Sequence, residues 1–469
     1  MSSNPYAASS TESSPANVTW QSPTGVRFLV VGLCIVMSVL LYLDRFATSA
    51  ATDTILRELK LSKGEFGDAV GAFFLAYALM QIPTGWLTDT FGARWTLAAY
   101  VVCWSLATIG LGFAYGLFAV WWMRLILGVM QAGAYPAAAG LLKRWVPYSA
   151  RGLANSSVAM GGRAGLLLSL AITVPLMLLV GRWLNRDEGN WRIVFAAYGL
   201  LGIAWAALFV WLYRDRPVEH PWANAAEVAL IAGPAGDKPS LRERSFDLPV
   251  LAMLASKEVW LMCGINICVN FGWIFLATWL PQFLIERHGE YVSQHIGDRQ
   301  VVAGLMTACT VVAAICGGML GGRATDFLVH RVGRAWGRRL PGMVAGLLVC
   351  GMYCMVPQLT NVWVFIGAMI AIAFTIDFGL GATWASYQDI GGRHVASVLG
   401  CGNMCGNLAA AYFGRQIGYL ADKGDWNQVF YISACAMLLA SGGWLLFDAT
   451  RPVVETAEEP RASAGERVA

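Results

Sequence analysis

The sequence predicts an all-α membrane protein with twelve transmembrane helices in two six-helix halves. Of its 469 residues 57% are hydrophobic and only 13% charged, and the mean hydropathy is +0.55, far from the balance of a water-soluble domain. Stretches of about 20 apolar residues, enough to cross a ~30 Å hydrocarbon core as helices, recur from end to end. The longest internal break is central: Tyr213 to Lys257 is polar and carries Pro217, Pro221, Pro234 and Pro239.

The apolar stretches begin near residues 27, 66, 95, 116, 153 and 192 in the first half, and near 259, 302, 341, 361, 394 and 427 in the second. Glycine is frequent inside them, as at Gly317-Gly318 and Gly321-Gly322, which suits close helix packing in lipid. Residues 1–25 are rich in Ser, Pro and Asn and show no basic-then-apolar signal segment, so they read as a disordered cytoplasmic tail, as do 449–469. Between them lie an N-terminal six-helix bundle (26–213), a cytoplasmic linker (214–257) and a C-terminal six-helix bundle (258–448). Basic residues set the orientation. Arg27, Arg94, Lys143, Arg144, Arg151, Arg214, Arg216, Arg323, Arg331, Arg334, Arg338, Arg339 and Arg393 fall on one side. Fewer fall on the other, among them Arg57, Lys60, Lys63, Arg182, Arg186 and Arg287. Both termini are therefore expected in the cytoplasm, with the chain in a plasma (inner) membrane. The net charge of +4 is this topological bias and gives no case for nucleic-acid binding.

An internal repeat supports the two-half reading. Gly85-Trp86-Leu87-Thr88-Asp89 follows the second stretch, and Gly322-Arg323-Ala324-Thr325-Asp326 follows the eighth, the equivalent place in the other half. Each is trailed by Gly and Arg: Gly92 and Arg94, then Gly333, Arg334, Gly337 and Arg338. Glycine permits a tight turn between helix ends, and Asp89 and Arg94 can bond exposed helix termini. Parallel repeats with a solute site between them near the midplane are a known transporter plan.

Charges inside apolar stretches are expensive unless they face a protein interior or a water-filled cavity. This chain keeps Asp44-Arg45, Arg124, Arg163, Asp377 and Arg415. Four arginines against two aspartates leave about two positive charges unmatched, which favours an anionic cargo. Guanidinium binds carboxylate or phosphate in bidentate fashion and stays charged, so Arg45 and Arg124 are the leading substrate candidates. Arg163 lies too deep to snorkel and should face the cavity or a partner, whereas Arg415 sits near a helix end and can reach headgroups. Asp377 can neutralise one of them.

Gly85-x-x-x-Asp89-x-x-Gly92-x-Arg94 resembles the loop 2–3 signature of the major facilitator superfamily, with a weaker copy from Gly322 to Asp326. Further residues extend the likeness toward the anion:cation symporter family, whose relatives include sialin, vesicular glutamate transporters and bacterial sugar-acid transporters. They are Tyr42-Leu43-Asp44-Arg45, Arg124-x-x-x-Gly128, Tyr135-Pro136, Trp191-Arg192-x-x-Phe195, Thr278-Trp279-Leu280-Pro281, Trp384 with Asp389, and Asn403-x-x-Gly406-Asn407. The resemblance implies that Gly85, Asp89, Gly92, Arg94 and Asp326 form gating loops that latch the two halves. It also implies that Arg45 and Arg124 match positions of anion binding. Many proton-coupled relatives carry a Glu seven residues after the helix-4 arginine, where this chain has Gln131. Gln131 keeps the hydrogen bonds but cannot titrate, which leaves Asp44 as the expected coupling carboxyl and Asp377 as the next candidate.

Asn270, Trp273, Trp384, Tyr387 and Asn403 lie on helices expected to line the cavity from the second half, where Trp can stack on a sugar-acid face and Asn can bond hydroxyls. All eleven cysteines fall in the apolar stretches, and Cys401 with Cys405, one turn apart, reads as a packing pair. The five histidines lack metal-ligand spacing and no nucleophile–base set is present, so neither an enzyme nor a cofactor or metal site is expected. The sequence thus predicts a monomeric secondary transporter moving a small organic anion, a sugar acid or other carboxylate, by alternating access. Lipid and a proton are its other partners. A carrier for phosphate or phosphate esters, an anion exchanger and a transporter-like solute sensor are the alternatives.

Overall fold

The computed structural model describes residues 22–186, 188–232, 250–297 and 299–454. Among them there is no strand. The long helices are α1 (Val26–Ala50), α2 (Lys63–Leu79), α3 (Gln81–Phe91), α4 (Ala93–Gly112), α5 (Leu117–Gln131), α6 (Ala134–Trp145), α7 (Arg151–Leu184) and α8 (Asn190–Leu212) in the first half. The second half holds α9 (Lys257–Ile274), α10 (Leu280–His295), α11 (Arg299–Met355), α12 (Val362–Phe378), α13 (Leu380–Ile390), α14 (Val395–Asp422) and α15 (Trp426–Leu446).

Three of the breaks between these helices have one cause. α2 and α3 form a single span bent by 47° just ahead of Pro83, α5 turns into α6 just ahead of Pro136, and a π turn at Phe275–Trp279 joins α9 to α10 just ahead of Pro281. Proline has no N–H to return to the preceding turn and its ring crowds the carbonyl there, so the helix bends or widens. α11 divides at Gly333, whose φ of +80° an L side chain would adopt only with strain. Among the described residues, and counting α5–α6 and α12–α13 as one span each, eight helical spans are long and apolar enough to cross a membrane and the bent α2–α3 pair makes a ninth. Dividing α11 at Gly333, and adding α9–α10 and α14, places a helical segment at each of the twelve expected stretches.

Apolar packing is concentrated within each half. In the first, Trp205, Phe209 and Tyr213 stack along α8 at successive ring separations of 4.9 Å, beside buried Trp104 and Trp145. In the second, Phe275, Phe283, Phe365 and Phe430 cluster with Trp426. Large apolar side chains such as Leu178, Leu179, Trp183 and Leu439 point outward, as lipid-facing residues do.

The segment expected as a linker begins as ordered structure on the first half. Glu227 accepts from the Gly25 and Arg27 backbone N–H groups at 3.0 and 3.1 Å and pairs with the Arg27 guanidinium at 2.6 Å. Residues 233–249, and most of both expected tails, lie outside the described residues.

Candidate functional site

A cavity of about 180 Å³ lies between the halves, an order of magnitude beyond the ~10–15 Å³ that one trapped water requires. Tyr42 and Arg45 of α1, Tyr77 of α2, Tyr135 of α6 and Arg163 of α7 line it from the first half. Asn266, Asn270 and Trp273 of α9, Asp377 of α12, Trp384 of α13, and Asn403 and Asn407 of α14 line it from the second.

Arg45 is held by faces and carbonyls. Its guanidinium carbon lies 4.3 Å from the Tyr77 ring centre, 4.9 Å from Tyr42 and 5.1 Å from Phe73, and its Nε donates to Gln131 Oε1 at 3.1 Å. Aromatic faces favour the cation without cancelling its charge. One terminal nitrogen, Nη2, is buried with no hydrogen-bond partner. Gln131 in turn donates to the Leu41 carbonyl at 3.1 Å, so it fixes the pose of Arg45 from behind and does not line the cavity. Arg124 also lies behind, 1% exposed, over the Phe73 ring at 4.6 Å, with weak bonds to the Arg45 carbonyl (3.3 Å) and Thr48 Oγ1 (3.4 Å).

Asp44 is not brought to this site. Adjacent helix positions point about 100° apart, and while Arg45 turns to the cavity Asp44 turns to the Trp104 indole of α4 and the Tyr198 side of α8. Both its oxygens and the Trp104 N–H are buried without a completed hydrogen bond. Asp44, expected as the coupling carboxyl, therefore does not line the cavity.

Arg163 finds its partner across the cavity. Its Nε and Nη2 donate to the two oxygens of Asp377 at 3.1 and 3.2 Å, and its guanidinium lies 3.5 Å from the Trp273 ring centre. Asp377 is therefore the mate of Arg163. Trp384 packs edge-on against Tyr135 at 4.8 Å, a contact between halves. Tyr387, expected in the pocket, instead donates to the Met262 carbonyl at 3.2 Å and receives Asn266 Nδ2 at 3.0 Å, behind the cavity wall. The side chain of Arg415 lies outside the described ones. Tyr42, Tyr77, Tyr135 and Asn266 were not assigned from sequence; tyrosines inside apolar stretches were the available signal.

One end of the bundle is closed by contacts between halves. Asp89 accepts from the N–H groups of Ala396 (3.2 Å) and Ser397 (2.8 Å) and from Ser397 Oγ (2.7 Å), at the N-terminus of α14. Asp326 accepts from the N–H groups of Gly152 and Leu153, both at 2.8 Å, at the N-terminus of α7. Each half thus presses a carboxylate onto the positive end of a helix of the other. Gly85 allows the approach, since a Cβ there would stand 2.5 Å from the Ala396 carbonyl oxygen. Arg94 and Gly92 do not cross: Arg94 donates to the Val210 carbonyl at 2.7 Å and Gly92 abuts Asp215, both on the first-half side. The residues missed here are Arg338, which donates to Asp389 at 2.9 Å, and Arg151 and Arg334, each 3.6 Å from the same carboxylate. Asn155 and Gln388 add a two-way carboxamide pair between the halves at 2.9 and 3.1 Å.

Away from the cavity, Cys263 of α9 joins Cys401 and Cys405 of α14, the three sulfurs lying within 4.8 Å of one another. This is a donor set of the kind that soft cations favour.

Two helical halves closed together at one end, around a polar cavity lined from both, are the architecture of a membrane carrier. The sequence profile described as Major Facilitator Superfamily matches residues 34–414, and the chain belongs to that superfamily. It is 27% identical over 445 residues to the "Probable sulfoacetate transporter SauU" of Cupriavidus necator, covering 94% of this chain and 97% of that one. It is 29% identical over 433 residues to the "Probable galactarate/D-glucarate transporter GarP" of Escherichia coli K12 (88% and 93% covered). It is 28% identical over 433 residues to the chloroplastic ascorbate transporter of Arabidopsis thaliana (91% and 76%). Among solved structures, the proton:xylose symporter XylE has a TM-score of 0.68 at 16% identity, covering 89% of this chain and 95% of that one. FucP in its outward conformation has 0.65 at 13%, covering 92% and 100%. These last two show the fold alone. The chain is a transporter and not an enzyme.

Proposed function

We propose that the protein is a secondary transporter that carries a small organic anion by alternating access, with Arg45 grasping the anionic group. The observation that carries this reading is Arg45, a residue of the cavity lining whose buried Nη2 has no hydrogen-bond acceptor and whose guanidinium has aromatic faces and an amide carbonyl around it but no paired carboxylate. A buried donor without an acceptor is destabilising by about 1–3 kcal/mol, and an incoming carboxylate, sulfonate or phosphate oxygen relieves it. Asn266, Asn270, Asn403 and Asn407 line the same space, and carboxamides are the groups that bond hydroxyls on the rest of such a cargo. The names of the relatives, sulfoacetate, galactarate/D-glucarate and ascorbate transporters, fit a carrier of this class.

In this reading bundles 26–213 and 258–448 rock about the cavity, the Asp89 and Asp326 latches close the cytoplasmic end, and both termini lie on that side. Asp44 remains the carboxyl to test for proton coupling. Binding of sulfoacetate, D-glucarate, ascorbate and inorganic phosphate to the purified chain, followed by uptake of the tightest binder into proteoliposomes, tests the proposal. Arg45→Gln should abolish both while leaving the protein folded. Binding without uptake would make the protein a sensor, and unimpaired binding by Arg45→Gln would remove Arg45 from the site.

A further inference from the structure

We infer that Arg163 is a second anion subsite, masked by Asp377 in the empty carrier, and that the cargo is therefore a dianion with two separate anionic groups. This rests on the anion-carrier reading and narrows it. Arg163 lines the cavity with Arg45, and Tyr42 and Tyr135 are neighbours of both guanidiniums. Asp377 takes only the edge of the fork formed by Nε and Nη2, so the Nη1 end is not part of the pair. Both residues line the cavity, and the side chain of Arg163 is 15% exposed against only 2% for Asp377, so Arg163 is the member of the pair that offers more surface to a ligand. Trp273 stacks on the guanidinium face and leaves its edges free to bind in plane.

Charge counting selects the dianion. At and just behind the cavity, Arg45, Arg124 and Arg163 face a single carboxylate, Asp377, while Asp44 is turned toward Trp104 and Tyr198. That leaves two positive charges. A monoanion leaves one of them uncompensated in a site of low dielectric, and a dianion leaves none. Asp377 acts as the resident anion with which the second cargo group competes for Arg163. Because Arg163 and Asp377 come from opposite halves, cargo arriving at Arg163 also loosens a bond between those halves, so occupancy is felt by the conformational equilibrium.

The test compares acids that differ by one anionic group, D-glucarate with D-gluconate and sulfoacetate with acetate, by titration calorimetry on the purified full chain. The unaltered protein should bind the dianion of at least one pair ~10-fold or more tightly than its monoanion, the margin of one charge-assisted contact. Asp377→Asn should widen that margin by removing the competitor. Arg163→Gln alone strands a buried carboxylate and is liable to misfold. The decisive variant is therefore Arg163→Gln combined with Asp377→Asn, an uncharged pair of similar size that keeps the two unmatched charges of Arg45 and Arg124 but removes the second contact, so the dianion's margin over the monoanion should shrink severalfold. Equal binding of both acids by the unaltered protein overturns the inference, as does a dianion margin that is undiminished in the double variant or weakens in Asp377→Asn. Failure of the unaltered protein to bind any of the four acids overturns the anion-carrier reading itself.

Discussion

The latched end and the cavity hold similar inventories of arginine and use them in opposite ways. At the latched end Asp389 stands among Arg338, Arg334 and Arg151, and Arg338 also lies 3.8 Å from Asp326, so carboxylates and guanidiniums answer one another. At the cavity Arg45 and Arg124 have aromatic faces and carbonyls for company and no carboxylate, and only Arg163 is paired. At the latched end a buried charge with its mate present is a fastener. A buried charge without one is a site awaiting a ligand, because the missing interaction is what the cargo supplies. In the proposed cycle the latches must also open. They are built from hydrogen bonds to helix N-termini and ion pairs of 2.9 to 3.8 Å, contacts that re-form readily in a different setting.

If that contrast is right, removing a charge should damage folding at the latched end and cargo at the cavity. The largest effect is expected from Asp389→Ala, which leaves Arg338 and its neighbours without their common partner. Loss of one member of a buried charge cluster destabilises by about 3–5 kcal/mol. The melting temperature in detergent should fall sharply whether or not anion is present. A variant that melts normally would mean that solvent already screens these arginines.

Arg124→Lys comes next. Lysine keeps the charge and loses the planar fork that reaches both the Arg45 carbonyl and Thr48 while lying on Phe73. The charge-assisted bonds lost are internal, worth about 1.5–3 kcal/mol, so the melting temperature should fall, and cargo affinity should fall with it because the backbone of Arg45 loses its brace. Near-normal uptake would show that Arg124 only packs.

Asp89→Asn should do less, and to rate more than to affinity. The amide still accepts at one oxygen, yet the charge that complements the α14 N-terminus is gone, a change of about 0.5–2 kcal/mol in the latch. Cycling should slow severalfold while equilibrium binding of anion holds. A large loss of binding with no change in conformational distribution would place Asp89 outside the latch.

How far these roles were legible in the sequence follows from the range of the interactions. Hydropathy and glycine content are local properties, so the helices, the repeat and the superfamily could be read directly. Asp89 was recognisable from its motif, but its partners lie 307 and 308 residues away, and a latch is defined by both members. Locally Gly85 is a turn former, and the close approach of the Ala396 carbonyl gives it a second, non-local reason to be glycine. The cavity was half legible. Arg45 and Arg163 stood out because charge is conspicuous in an apolar run, but the side of the helix each residue faces was not. Asp44 and Arg45 are adjacent in sequence and point to different places, and no pattern in a helix apolar nearly all round assigns the face. Arg338 and Arg334 look locally like loop charges that set orientation, since nothing local marks their shared partner Asp389.

The smallest effect sharpens the comparison by converting one region into the other. Gln131 accepts from Arg45 Nε and donates to the Leu41 carbonyl. Gln131→Glu keeps the acceptor, gives it a charge and forfeits the second bond. Arg45 then has a resident carboxylate, as Arg163 has Asp377, and the open site becomes a masked one. Affinity for the anion at neutral pH should fall about 5- to 10-fold, because the new ion pair of roughly 1 kcal/mol must be displaced and the anion meets a like charge. Stability should change by less than that, since the gained ion pair offsets the lost hydrogen bond. The variant also introduces a carboxyl that binds a proton as the pH drops, and protonation returns Arg45 to the cargo. Anion affinity should therefore recover on acidification in the variant and not in the parent, and uptake should depend more steeply on an imposed pH gradient. If the parent already responds as steeply, a carboxyl in the native chain carries the proton. Asp44→Asn and Asp377→Asn then decide which: loss of the response in the first assigns coupling to the Trp104 side of α1, and loss in the second assigns it to the partner of Arg163.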